Sequence, residues 1–224
     1  HALLAQDPAM RSPMKWEVDS PSPPPRTATL RSDARIAASQ AQVAALPTEF
    51  RAMHTVGAEL PEECNSIAMM AFLSPNFAAS AHIPGYMNWL LNDADLAPAY
   101  AFHRHMLQHL QAFAPGQRWV LKAPPHLWWL DHLFETYPDA QVVMTHRDPA
   151  QVMASNASLI EWLRSRVHPV DGVAIGREQI EQWQLALQRA TAFRDSERNA
   201  GQFLDTGYAD FIADPMEVVA AVYA

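Results

Sequence analysis

The chain has a single cysteine, Cys64, and none of the histidine and acid spacings that hold a metal, although it carries ten histidines. One thiol excludes an internal disulfide and a thiolate metal cluster, and it fits a reducing compartment. No metal is expected, and a cytoplasmic location is. Only seven of the 224 residues are glycine, and no Gly-rich loop suited to cradling phosphate occurs among them. No apolar run reaches membrane-spanning length, and no charged start leads into an apolar secretory core. Basic residues are outnumbered: 16 Lys and Arg against 24 Asp and Glu give a net charge of −8. That excludes broad, sequence-independent binding to nucleic acid, though a few converging cations still suffice to hold a small anion.

What is present is enough apolar material for one sizeable core, with 49% hydrophobic residues. One domain over 1–224 is expected, with a helical insertion at about 31–113. The chain opens in HALLAQDP, already helical in character, and closes in PMEVVAAVYA without a stop signal, so a trimmed piece of a longer protein is expected. Met14 to Val18 reads as a short strand, and SPSPPPR at 20–26 as a stiff extended linker. Ser32 is placed to cap an Ala-rich helix, Pro61 to open another, and residues 84–113 to supply two more. The centre alternates: a strand at Arg118–Lys122, a helix at His126–Tyr137, a strand at Ala140–His146 and a helix at Pro149–Arg166. A helical connection between strands implies a right-handed parallel crossover, hence an α/β fold. A polar helix at 177–199, a strand at Gln202–Thr206 and a last helix opened by Asp214-Pro215 complete the chain.

Ligands of open parallel sheets bind outside the carboxyl ends of the strands. Two expected strands end in cations there, Lys122 in LKAPPHL and Arg147 in THRDPAQVMAS. A phosphate at the helix start after Asp148-Pro149 meets backbone N–H groups and a favourable dipole. Arg147 adds a forked contact, and Ser155, eight residues on, offers a hydroxyl. The plainer alternative is a surface Arg147 paired with Asp148. Lys122 is a compact charge able to stabilise a leaving phosphate or a transferring anion. His126 opens the next helix and can act as acid or base, or simply stand at a helix start. Glu17, in KWEV between Trp16 and Val18, is a carboxylate whose pKa apolar surroundings would raise, suiting a general base; the alternative is a strand-end acid bonded to backbone. Glu62 and Glu63 read as first-turn charges. Tyr208, after the last strand, can stack on a base, bond a phosphate or anchor its loop.

Together WVLKAPPH, PDAQVVMTHRDPAQVMAS and GYADFIADP resemble the sulfotransferases that use 3′-phosphoadenosine 5′-phosphosulfate (PAPS), in particular the bacterial and tyrosylprotein branches. The likeness spans nearly the whole chain. It implies a P-loop-like parallel sheet flanked by helices, PAPS as co-substrate, and a small hydroxyl or amine acceptor. Arg147 and Ser155 would hold the 3′-phosphate, Tyr208 would touch the nucleotide, and Lys122 would stabilise the transferring sulfuryl group. Glu17 or His126 would act as base, His126 being displaced by two prolines. The chain departs from the family in lacking the Arg-Ser/Thr-Gly-Thr-Thr loop and in reading KAPPH where relatives often read KSPEH, so weak nucleotide binding and no turnover are expected of it. Two other classes compete: a P-loop nucleotide phosphotransferase, and a non-catalytic module binding a partner through the apolar helices around Met69, Met70, Tyr86, Trp89 and Leu90. The aromatic and Met-rich helices point to an apolar or aromatic acceptor.

Overall fold

A computed structural model describes residues 1–196 and 198–224. In chain order the elements are β1 (Met10–Arg11), α1 (Lys15–Asp19), α2 (Ala34–Ala44), α3 (Thr48–Met53), α4 (Cys64–Met70), α5 (Asn76–Ser80), α6 (Pro84–Asn92), α7 (Ala97–Gln111) and β2 (Arg118–Trp119). There follow a 3₁₀ turn at Pro124–Trp128, α8 (Leu130–Thr136), β3 (Val142–His146), α9 (Pro149–Ser165), α10 (Gly172–Asp195), β4 (Phe203–Gly207), α11 (Tyr208–Ala213) and α12 (Pro215–Tyr223). The fold is mixed α/β, and both ladders are parallel: β1 with β2, and β3 with β4. Among the described residues no helix is long and apolar enough to cross a membrane.

The chain forms two compact units, one from His1–Ser74 and Ala97–Ala123, the other from Pro75–Leu96 and Pro124–Ala224. The segment 31–113 is thus shared between them.

In the first unit the expected strand at Met14–Val18 is instead α1, and the strand lies earlier at β1. The helix wins because Glu17 reaches back to accept the Met14 N–H at 2.9 Å, the acid half of a capping box. Trp16 packs with Ile36 of α2 and with Ala58, flanked by Met14 and Leu30, and the Arg35 guanidinium lies 4.8 Å above its ring. Asp33 rather than Ser32 caps α2, accepting from the Arg35 N–H. Pro61 does not open α4; Glu63 stands at that cap position. α4 packs on α7, with Cys64, Ile67, Leu107 and Leu110 all buried. The strand expected over Arg118–Lys122 pairs only at Arg118 and Trp119.

In the second unit the helix expected at His126–Tyr137 is divided. Two adjacent prolines favour the 3₁₀ turn, and α8 starts after it. Here β3 pairs with β4, the connection running through α9 and α10, in the register Val142↔Phe203 to His146↔Gly207; among the described residues the strand expected at 118–122 is laddered with β1 and not with β3. The long helix starts earlier than 177, capped by the Asp171 carboxylate, and ends at Asp195. Of the expected span 177–199, residue 197 lies outside the described residues. α9 and α10 pack along each other. At the far end of α9 the buried Arg164 donates to the Ala78 carbonyl at 2.7 and 3.0 Å and to both Glu178 oxygens at 2.7 Å. Phe134, buried at 7% exposure, stacks on Phe193 with ring centroids 5.4 Å apart and also meets Phe203. Removing its ring leaves a cavity beneath β4. Phe134→Ala is expected to destabilise the protein by about 3–5 kcal/mol, read from the urea unfolding midpoint.

Candidate functional site

The second unit holds the Arg147 cluster. Because β3 and β4 run parallel and end in register at His146 and Gly207, the next residues, Arg147 and Tyr208, leave the sheet side by side. The Arg147 guanidinium lies 4.5 Å over the Tyr208 ring. It also donates through Nε and Nη2 to Gln151 Oε1 at 3.3 and 3.2 Å. Asp148 is not its partner. The Asp148 carboxylate caps α9, accepting the Ala150 N–H at 2.9 Å, and Pro149 occupies the first turn. Among the described residues no carboxylate pairs with Arg147. The cation is exposed, next to the start of a 17-residue helix.

Ser155 is exposed one turn beyond Gln151, about 6 Å along the axis and on the same side of α9. The structure therefore joins Arg147 to Tyr208 and to Gln151 directly, and places Ser155 one turn further along the face that carries Gln151. Nearby, Asp205 of β4 takes Arg194 at 2.6 and 2.8 Å and His146 at 2.6 Å. Arg194 first, then His146, hold its carboxyl at about 2. This ties up the one acid on β4, leaving Arg147 without a competing charge from that strand.

His126 lies in the 3₁₀ turn, half-buried, and its carbonyl accepts the Trp129 N–H at 3.0 Å. Burial lowers its pKa from 6.5 to about 4, so the ring is neutral at pH 7. A separate cavity of about 800 Å³ is lined by residues including His82, Met87, Leu91, Arg164 and Ile175, and by none of the six expected site residues. It sits at the opposite end of α9 from Arg147, about 25 Å away at 1.5 Å per residue.

In the first unit Glu17 belongs to a helix, not to a strand end. It is 1% exposed, with Oε1 accepting Arg11 Nη2 at 2.6 Å and Oε2 accepting the Met14 N–H. Burial raises its pKa, and Arg11 opposes the rise. Lys122 is exposed beyond the short β2. Its carbonyl accepts the Cys64 N–H at 3.0 Å, and its ammonium donates to the Glu63 carboxylate. Gln151 and Glu63 are the site neighbours missed in the sequence. Gln151 was findable from its four-residue spacing to Arg147; the Glu63 contact joins residues 59 positions apart and leaves no local signal.

A family model described as the sulfotransferase family matches residues 1–224. The chain belongs to the sulfotransferase family. It is similar to the sulfotransferase STF1 from Mycobacterium tuberculosis H37Rv, with 35% identity and a TM-score of 0.83 over 100% of this chain and 62% of that one. It is similar also to the sulfotransferase STF9 from Mycobacterium avium, with 30% identity and a TM-score of 0.90 over 99% of this chain and 58% of that one. The chain thus spans about three fifths of the length of each solved sulfotransferase. No curated protein sequence matches it.

The neutral His126 carries a pH signature. The folded state keeps the ring unprotonated down to about 4, whereas the unfolded chain takes up the proton near 6.5. Between those values the unfolded state binds more protons, so stability declines as pH falls through the window. Urea unfolding at pH 7 and pH 4.5 is expected to show a pH-dependent loss in the native chain that shrinks in His126→Gln by up to roughly 3 kcal/mol.

Proposed function

We propose that the full-length protein to which this sulfotransferase-family chain belongs moves the sulfuryl group of PAPS to a hydroxyl or amine of a small acceptor, apolar or aromatic in character and taken up in the cytoplasm. The observation that carries the reading is an exposed Arg147 free of any carboxylate partner among the described residues, stacked on Tyr208 at the start of α9. Such a cation, at the positive end of a helix dipole, suits a phosphate ester. Arg147 and Ser155 hold the 3′-phosphate, Gln151 orients the guanidinium, and Tyr208 supports it from below.

In the transfer the acceptor oxygen attacks sulfur in line, and the bond from sulfur to the bridging oxygen breaks. The electron pair of that bond stays on the 5′-phosphate, where Lys122 meets the growing charge. The acceptor's proton goes to Glu17 or His126. Glu17 is the more basic of the two because burial raises its pKa, and each carboxylate oxygen keeps a lone pair beside its bond to Arg11 or the Met14 N–H to take the proton. His126 is neutral at pH 7 and is the weaker base. Partly exposed aromatics on α6, where Tyr86 meets Trp89 at 5.8 Å, support an apolar or aromatic acceptor. Leu90 is fully buried, so it belongs to the core and does not favour a docking module.

Isothermal titration of the full-length protein with the product nucleotide, 3′-phosphoadenosine 5′-phosphate, tests the reading. Arg147→Ala is expected to weaken binding by about 10- to 100-fold, the cost of about 1.5–3 kcal/mol for a charge-assisted contact. Unchanged affinity, or displacement of the nucleotide by Mg²⁺-ATP, favours the interaction-module or phosphotransferase class instead.

A further inference from the structure

The two cations of the proposed reaction are kept differently. Arg147 stands open, whereas Lys122 has its ammonium on the Glu63 carboxylate. That pairing is built by the backbone. The Cys64 N–H donates to the Lys122 carbonyl at 3.0 Å, so the residue just before Cys64 is set beside the Lys122 side chain. Glu63 is held from two further directions: Asn65 Nδ2 donates to its Oε2 at 3.3 Å, and its own N–H donates to Glu62 Oε1 at 2.9 Å. The carboxylate is mostly covered, at 19% side-chain exposure, while Lys122 is 44% exposed. The acid is therefore the posed partner and the lysine stem the movable one. Among the described residues Glu63 is the single carboxylate on Lys122.

We infer that Glu63 is an internal counter-anion that occupies the Lys122 ammonium until the anionic donor displaces it. The inference rests on the sulfuryl-transfer reading, because it needs an anion destined for Lys122. An exposed lysine pair is weak, about 0–1 kcal/mol, so a multiply charged phosphosulfate can break it. A singly charged metabolite has less to offer against the same carboxylate, so the pair also selects for charge. On release, the lysine turns to the donor, and Glu63 keeps its tie to Asn65.

The test is the affinity of the full-length protein for 3′-phosphoadenosine 5′-phosphate, whose 5′-phosphate is the group meant for Lys122. Glu63→Gln keeps the size and backbone contacts and removes the charge. It is expected to tighten the nucleotide about fivefold, and the same change on a Lys122→Gln background to tighten it about twofold or less. Glu63→Ser, a residue suited to the same helix-start position, serves should the glutamine variant not fold. Unchanged or weaker binding in the Glu63 variant, or equal tightening on both backgrounds, overturns the inference while leaving the sulfuryl-transfer reading in place. Failure of the native protein to bind the nucleotide removes that reading and this inference with it.

Discussion

The parallel register of β3 and β4 is the constraint on which the candidate phosphate site depends. Five consecutive pairs end at His146 and Gly207, so the first residues past the ladder must be neighbours. Those residues are a guanidinium and a phenol ring, and they stack. A shift by one residue would turn Arg147 to the other face and separate it from Tyr208. The core beneath resists the shift, because Phe203 of β4 packs against Phe134 and Phe193. The position of the charge is thus set by apolar packing some residues away.

Several acids of the second unit are engaged by helix caps or by cations. Asp148, Asp171 and Asp214 cap helices, Asp205 takes Arg194 and His146, and Glu178 takes Arg164. Arg11 and Glu17 neutralise each other inside the first unit, where either alone would cost several kcal/mol. Arg147 is exposed and pairs with no carboxylate among the described residues, and it differs from other exposed arginines in standing at the shared end of β3 and β4, stacked on Tyr208.

Much of the second unit was legible in the sequence. The apolar run before Thr145 and the Asp148-Pro149 and Asp214-Pro215 starts announced β3, α9 and α12, since an Asp cap followed by a first-turn proline has a local cause. Arg147, Ser155 and Tyr208 could be singled out because each stands at a fixed offset from a strand end. The first unit was harder. KWEV reads as a strand by composition, but a single Glu17-to-Met14 bond and the burial of Trp16 make it helical. Strand partners were not legible either. β1 finds β2 more than a hundred residues away, and nothing in AMR or QRW names the other. The Arg11–Glu17 and Glu63–Lys122 pairs were hidden for the same reason: charge complementarity is not local, so only the fold shows which acid meets which base.

The central claim is that the carbonyl ends of β3 and β4, with the first two turns of α9, form one phosphate-binding place. A crystal structure of the full-length protein with 3′-phosphoadenosine 5′-phosphate bound tests it most directly. The account predicts the 3′-phosphate within hydrogen-bond distance of both the Arg147 guanidinium and the Ser155 hydroxyl, with Tyr208 still beneath the guanidinium. A nucleotide seated elsewhere, or a 3′-phosphate that touches neither side chain, would contradict it.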